Sequence, residues 1–126
     1  MNSTVFGELV FNVGWKTETE ISLFNNNYSV IIKAAAYFEK DGITANQEAA
    51  IVDFGDHKNE RLKSVEKLLL TDFSEGDASK RFVPRTLLFQ RNGSYALLFD
   101  DREDEDEGIA VCLQPEAKIV SQDEYL

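Results

Sequence analysis

The chain reads as an α+β domain. An antiparallel sheet of about six strands is expected, with an N-terminal meander, two central helices packed on one face, and C-terminal hairpins. Three observations predict this. Alternating apolar and polar residues recur in the first forty residues and again after Pro84. Between those regions, Leu62, Val65, Leu69 and Phe73 recur at helical spacing. Turn residues mark each change of pattern: Asn25-Asn26-Asn27, Asp41-Gly42 and Asn92-Gly93. Strands grouped on either side of a helical pair indicate α+β rather than alternating α/β order.

Val5–Val13 opens the chain as a loosely alternating strand, with Val5, Leu9, Phe11 and Val13 facing inward. Gly14 breaks it and Trp15 follows; Trp15 is the aromatic most exposed by position, although core anchoring is the commoner fate of such a residue. Glu18–Phe24 alternates, Asn25-Asn26-Asn27 turns the chain, and Tyr28–Phe38 forms the next strand with Val30 and Ile32 on one face. Thr44-Ala45-Asn46-Gln47 fits a capping box, in which the Thr oxygen and the Gln side chain each satisfy a free N–H. A helix from Ala45 to Phe54 follows, and Gly55 is expected to end it. A second runs from Asn59 to Phe73, and Ser74–Ser79, containing Gly76, is a polar loop. Pro84 leads into Thr86–Gln90 and Ser94–Phe99. These flank Asn92-Gly93, a hairpin signal that favours a type I′ turn. Ile109–Leu113 and a short Lys118–Val120 complete the strands.

At 126 residues the chain fits one domain, 1–126, around one core. The formal net charge of −10 argues against nucleic acid and anionic membrane as partners, because phosphate contacts need Lys and Arg. A basic protein is the better match. The opening Met1-Asn2-Ser3-Thr4-Val5-Phe6-Gly7 lacks the basic start and apolar run of a secretion signal. Cys112 is the single cysteine, so no intrachain disulfide forms, and a cytoplasmic location is expected. The sequence sets no oligomeric state.

The largest anomaly is Asp100-Asp101-Arg102-Glu103-Asp104-Glu105-Asp106-Glu107: seven carboxylates and one arginine, a net −6 of the chain's −10. Apolar strands flank it, so it reads as a loop between two late strands rather than a tail. Three uses compete. A solvated loop tuned for solubility is the plain one. A docking surface for a basic protein is favoured, since a concentrated field speeds encounter and then forms charge-assisted bonds. A calcium loop fits poorly, because Gly108 follows the carboxylates instead of lying among them. Asp100, Asp101, Glu103, Asp104, Glu105, Asp106 and Glu107 are therefore the expected contact region, with Tyr95 and Tyr125 as aromatic anchors beside it.

Other chemistry is weakly signalled. His57 is the only histidine, which excludes a His-based metal cluster, and no metal or cofactor is expected. Asp53, Asp56 and Glu60 lie near it in sequence but are not expected to converge on it. Cys112, between Val111 and Leu113, reads as a buried hydrophobe. No nucleophile elbow or phosphate loop occurs. A hydrolase using two carboxylates stays open only because 23 acidic residues allow many pairs. The expectation is a protein that is not an enzyme.

Further residues carry a resemblance. They are Gly14-Trp15, Ile21-Ser22-Leu23-Phe24 and Ile43-Thr44-Ala45-Asn46-Gln47-Glu48-Ala49. Later come Tyr95 to Asp100, Asp104 to Val111 and Ile119-Val120-Ser121-Gln122-Asp123. In these the chain resembles a bacterial family of small α+β domains related to immunity proteins of polymorphic toxin systems. Glu103, Glu107 and Ser121 stand where that family has Trp, His and Gly. The resemblance implies a cytoplasmic inhibitor that binds a cognate toxin, such as a contact-dependent growth-inhibition nuclease, and it transfers no catalytic residue. It also implies that Asp104 and Asp106, within its acidic-Gly motif, serve the fold. The alternative is a binding or scaffold domain with no toxin partner.

Overall fold

The computed structural model describes residues 2–3, 6–11, 14–36, 38–74 and 77–126. Val5, Val13 and Gly76 lie outside this set. Its elements in chain order are β1 (Asn2–Ser3), β2 (Gly7–Glu8), β3 (Val10–Phe11), β4 (Trp15–Leu23), β5 (Asn26–Ala34), α1 (Ala45–Asp56), α2 (Lys58–Asp72), α3 (Ala78–Arg81), β6 (Phe82–Phe89), β7 (Tyr95–Asp101), β8 (Asp104–Gln114), β9 (Lys118–Ser121) and α4 (Gln122–Tyr125). A short 3₁₀ turn covers Glu39–Asp41. Strands β3 to β9 form one seven-stranded sheet in sequence order, and β1 pairs with β2 separately. The strand expected over Val5–Val13 is thus divided among short pieces.

The sheet is mostly antiparallel, with one departure: β5 and β6 pair parallel, Ile31 with Thr86 through Ala34 with Phe89. The helical segment between them returns the chain to the end of the sheet from which β5 started, which makes parallel pairing the outcome of the crossover. Helix α1 buries Ala50, Ile51 and Phe54, and α2 buries Leu62, Val65 and Leu69. Both stripes pack on Ile21, Leu23, Val30, Ile32, Leu87 and Leu97 in one core. Each such large side chain contributes roughly 1.5–3 kcal/mol on burial. A smaller cluster on the opposite face joins Leu88, Ala96, Leu98, Ala110 and Cys112, with Val120 and Tyr125 packed on it. Tyr95 to Phe99 is apolar at every position because β7 is covered on both faces.

Several local details differ from the sequence expectations. Gly55 does not end α1; the helix continues to Asp56, and the break falls at His57, whose φ of −122° leaves the helical range. The β4–β5 turn is Phe24-Asn25, with φ of 51° and 63°, so Asn26 and Asn27 already belong to β5. Two left-handed residues joining the Leu23–Asn26 pair make a type I′ geometry. A positive φ is uncommon for an aromatic residue. Glu66 Oε2 accepts the Phe24 N–H at 2.8 Å and helps hold it. At Asn92-Gly93, the type I′ expectation fails: only Gly93 is left-handed, at φ 92°, and its N–H donates to Gln90 O at 2.9 Å. The hairpin is present with a longer loop.

The capping box is formed as expected. Thr44 Oγ1 accepts Gln47 N–H at 3.0 Å, and Gln47 Oε1 accepts Thr44 N–H at 2.9 Å. Gln47 does more than cap. It is fully buried, and its Nε2 donates to Ala35 O at 2.8 Å and Phe89 O at 3.1 Å. It therefore closes the carbonyls at the ends of the parallel pair. Arg91 Nη1 adds a bond to Gly42 O at 2.7 Å, tying the β6–β7 turn to the start of α1. Trp15 is buried against Leu9, Ala34 and Ala36, with Phe11 edge-on at 5.4 Å, so the core reading holds for it.

Candidate functional site

The acidic run is not a free loop. Asp100 and Asp101 end β7, Arg102 and Glu103 turn, and Asp104 starts β8. Between the Phe99–Ile109 and Asp101–Asp104 pairs, Asp100 alone on β7 stands opposite residues 105–108 on β8. That excess of three residues is a large bulge, which breaks the ladder. Gly108 closes the bulge in a confined space. A Cβ added there would lie 2.3 Å from both Phe99 O and Gln122 Nε2. Gln122 Nε2 crosses this space and donates to Phe99 O at 2.6 Å, satisfying a carbonyl at the ladder break.

The seven carboxylates have unequal environments. Asp101 is buried and grips Arg81 through two bonds of 2.9 Å, Nε to Oδ1 and Nη2 to Oδ2. Its Oδ1 also accepts the Glu103 N–H at 2.9 Å. The Arg81 guanidinium, followed by the backbone N–H groups of Glu103 and Asp104, holds the Asp101 carboxyl below the usual carboxylate range against the opposing effect of burial. Arg81 lies 4.8 Å from the Phe82 ring centre and 5.1 Å from Phe73, a cation–π arrangement, and also meets Glu103 at 2.9 Å. Its carbonyl accepts the Arg102 N–H at 2.9 Å. Asp101 thus serves the fold, a role sequence reasoning gave to Asp104 and Asp106. Asp104 Oδ1 does accept the Asp106 N–H at 3.2 Å, a local turn bond.

Asp100 pairs with Arg85 at 2.7 Å, but both side chains are more than half exposed, and such pairs contribute little. Among the described residues, Asp104, Asp106 and Glu107 have no ion-pair partner. The Glu105 side chain lies outside the described set. Beside the bulge opens a wide cleft of about 700 Å³, between the end of α2, the bulge and β9. Asp72, Asp104, Glu107 and Glu124 line it with Phe73, Ile109 and Ile119, and Arg81 is the one cation among the described residues that line it. An open, apolar-floored, acidic cleft suits the stem and head of a long basic side chain.

Neither tyrosine stands as expected. Tyr95 is fully buried in the main core, at the opposite end of β7 from the acidic run. It is corrected from surface anchor to core residue: its hydroxyl donates to Asp53 Oδ2 at 2.8 Å, and burial, then that bond, push its pKa up. Tyr125 is half-buried, its ring packed on the second face, and burial raises its pKa to about 12. It is no open anchor either.

A cluster unforeseen from sequence surrounds Asp53. Its Oδ2 also meets Arg61 Nη2 at 2.8 Å and Gln114 Nε2 at 3.4 Å. His57 Nδ1 lies 3.4 Å from Oδ1, so Asp53 does converge on His57, at the i,i+4 spacing. Burial raises the Asp53 pKa, but the bonds from Tyr95 and Arg61 outweigh it and the net shift is downward. The i,i+4 relation was available to inspection; the Tyr95 and Gln114 contacts, made between α1 and the paired strands β7 and β8, were not. Cys112 is buried, and burial pushes its thiol up, away from nucleophilic character. Among the described residues, no group of three or more His, Cys, Asp or Glu could hold a metal ion. No helix among them is long and apolar enough to cross a membrane. Comparison with protein-family models, with characterised proteins and with solved structures finds no match.

Proposed function

We propose that the chain is an immunity protein, a non-catalytic, stoichiometric inhibitor that binds a basic toxin domain through the acidic end of its β7–β8 hairpin. The observation that carries this reading is the bulge with its adjoining cleft. It presents Asp104, Asp106 and Glu107, which have no ion-pair partner among the described residues, on a strand-borne base in a chain of net charge −10. A nuclease must display Lys and Arg where it grips phosphate, and an acidic surface competes for that same region. Fixed carboxylates cost less entropy to engage than carboxylates on a free loop. Opposite net charge speeds encounter by about 10–10³-fold, which suits a toxin that must be met on arrival. The reading puts the protein in the cytoplasm, where a reduced Cys112 is ordinary.

Co-expression with the protein encoded beside it tests the proposal. Rescue of growth together with co-purification supports it. Absence of both favours the alternative, a binding or scaffold domain whose acidic hairpin only solubilises.

A further inference from the structure

We propose that the outer edge of β4 is a strand-addition site for an extended segment of a partner protein that carries Lys or Arg at alternate positions. This surface is separate from the acidic hairpin and does not rest on the toxin reading. The β4–β5 turn fixes which backbone groups face outward. Its two-residue connection makes Leu23 and Asn26 a hydrogen-bonded pair, so Ile21, Thr19 and Thr17 also turn their N–H and C=O groups toward β5. Glu18, Glu20 and Ser22 therefore direct theirs away from the sheet. Lys58, on α2, agrees with this: its Nζ donates to Glu20 O at 3.1 Å. β3 covers β4 only as far as Lys16, through its pair with Val10, and the preceding Gly7–Glu8 segment pairs with β1 instead. Among the described residues, no strand pairs with Glu18, Glu20 or Ser22 on that side. Open donors and acceptors in a row are a template for another strand.

The side chains select the occupant. Ile21 and Leu23 are buried on the helical side of β4, so Glu18 and Glu20 are exposed on the other. Neither carboxylate has an ion-pair partner among the described residues. A second copy of the chain fits poorly. Every two-fold antiparallel register that engages Glu18 with these open residues sets carboxylate against carboxylate: Glu18 on Glu18, Glu18 on Glu20, or Glu20 on Glu20. Like charges directly opposite destabilise a ladder, and opposite charges stabilise it. A strand with Lys or Arg opposite both glutamates meets that demand. On the helical side, a groove of about 470 Å³ opens between β4 and the start of α2, with Ile21 and Leu62 in its lining. It receives the intervening side chains, so the segment alternates basic with apolar residues.

The probe is a short synthetic peptide alternating Lys with Val, compared with one alternating Glu with Val, each titrated into the full chain and followed by NMR. The Lys peptide should bind and, near saturation, slow amide exchange at Glu18, Glu20 and Ser22 by about fivefold or more, the worth of one added hydrogen bond each. Thr19 and Ile21 should stay unchanged, because their N–H groups already bond β5. Glu18→Lys combined with Glu20→Lys should weaken the Lys peptide about tenfold and make the Glu peptide the better ligand, as two attractive cross-strand pairs become repulsive. Both side chains are exposed, so the variant keeps the fold, which urea unfolding checks, and the wild-type exchange pattern stands without it. No binding of the Lys peptide overturns the site. Binding without the alternating protection is a charge contact only and overturns strand addition. Equal binding of the two peptides overturns the charge selection. Protection of the three residues that rises with protein concentration alone assigns the edge to a second copy and overturns the occupant.

Discussion

Replacing Asp101 with Asn should destabilise the protein by about 2–3 kcal/mol near neutral pH. Asp101 accepts two bonds from Arg81 and one from the Glu103 backbone, and it is 7% exposed. The asparagine keeps the volume and one acceptor, but its amide group points a donor at an Arg81 donor. A bond to a charged group contributes roughly 1.5–3 kcal/mol, and breaking a buried pair costs about 3–5. The lower figure applies because Arg81 keeps Glu103 and is itself 31% exposed. The pH dependence has a definite sign. The Asp101 pKa is depressed in the folded state, so its contribution is present above the unfolded value of about 3.9 and is lost as pH falls through the folded value. Urea unfolding followed by Trp15 fluorescence, at neutral pH and in acid, measures both effects. The gap between wild type and variant should narrow in acid. An Arg81→Met, Asp101→Asn cycle should show coupling of about 1–2 kcal/mol. A neutral-pH cost below about 0.5 kcal/mol, or a gap that acid leaves unchanged, would refute the assignment of Asp101 to the fold.

Other outcomes follow from the same contacts. Gln47→Ala should cost about 2–4 kcal/mol in urea unfolding, because it removes a fully buried side chain, the acceptor of the Thr44 N–H, and one of two donors to each of the Ala35 and Phe89 carbonyls, which keep Arg91 and the Ala35 N–H. Thr44→Ala should cost about 1–2 kcal/mol, since it removes the cap on the Gln47 N–H and the 2.7 Å bond its hydroxyl donates to Arg91 O. The Cys112 thiol, buried with its pKa raised, should react with a thiol reagent far more slowly in the native protein than in denaturant; equal rates would contradict its placement.

The order of elements was legible because it rests on local signals. Thr44 and Gln47 are adjacent in the cap, and Leu62, Val65 and Leu69 repeat on one helix face. What was not legible depends on meetings between distant segments. The parallel pairing of β5 with β6 follows from the path of the helical crossover, which alternation within a strand does not record. Tyr95 reads as an interface aromatic until its hydroxyl meets Asp53, 42 residues away. The acidic run could be placed where two late strands meet, but not largely inside them as β7 and β8 hold it, and its division into engaged and free carboxylates depends on Arg81 and Arg85, which lie in other elements. Turn chemistry misled for a physical reason. Asn92-Gly93 can form a type I′ turn, but here a longer loop needs only Gly93 left-handed, while Phe24-Asn25 takes that geometry with β4–β5 pairing and Glu66 to hold it.

The most direct measurement of the proposed function is the salt dependence of binding to the protein that co-expression recovers with this chain. It compares wild type with a variant in which Asp104, Glu105, Asp106 and Glu107 are all Ser. The account predicts that the variant binds about tenfold or more weakly at low salt, with slower association and a flatter dependence of affinity on salt. Equal affinity and an equal salt slope for the two proteins would contradict it.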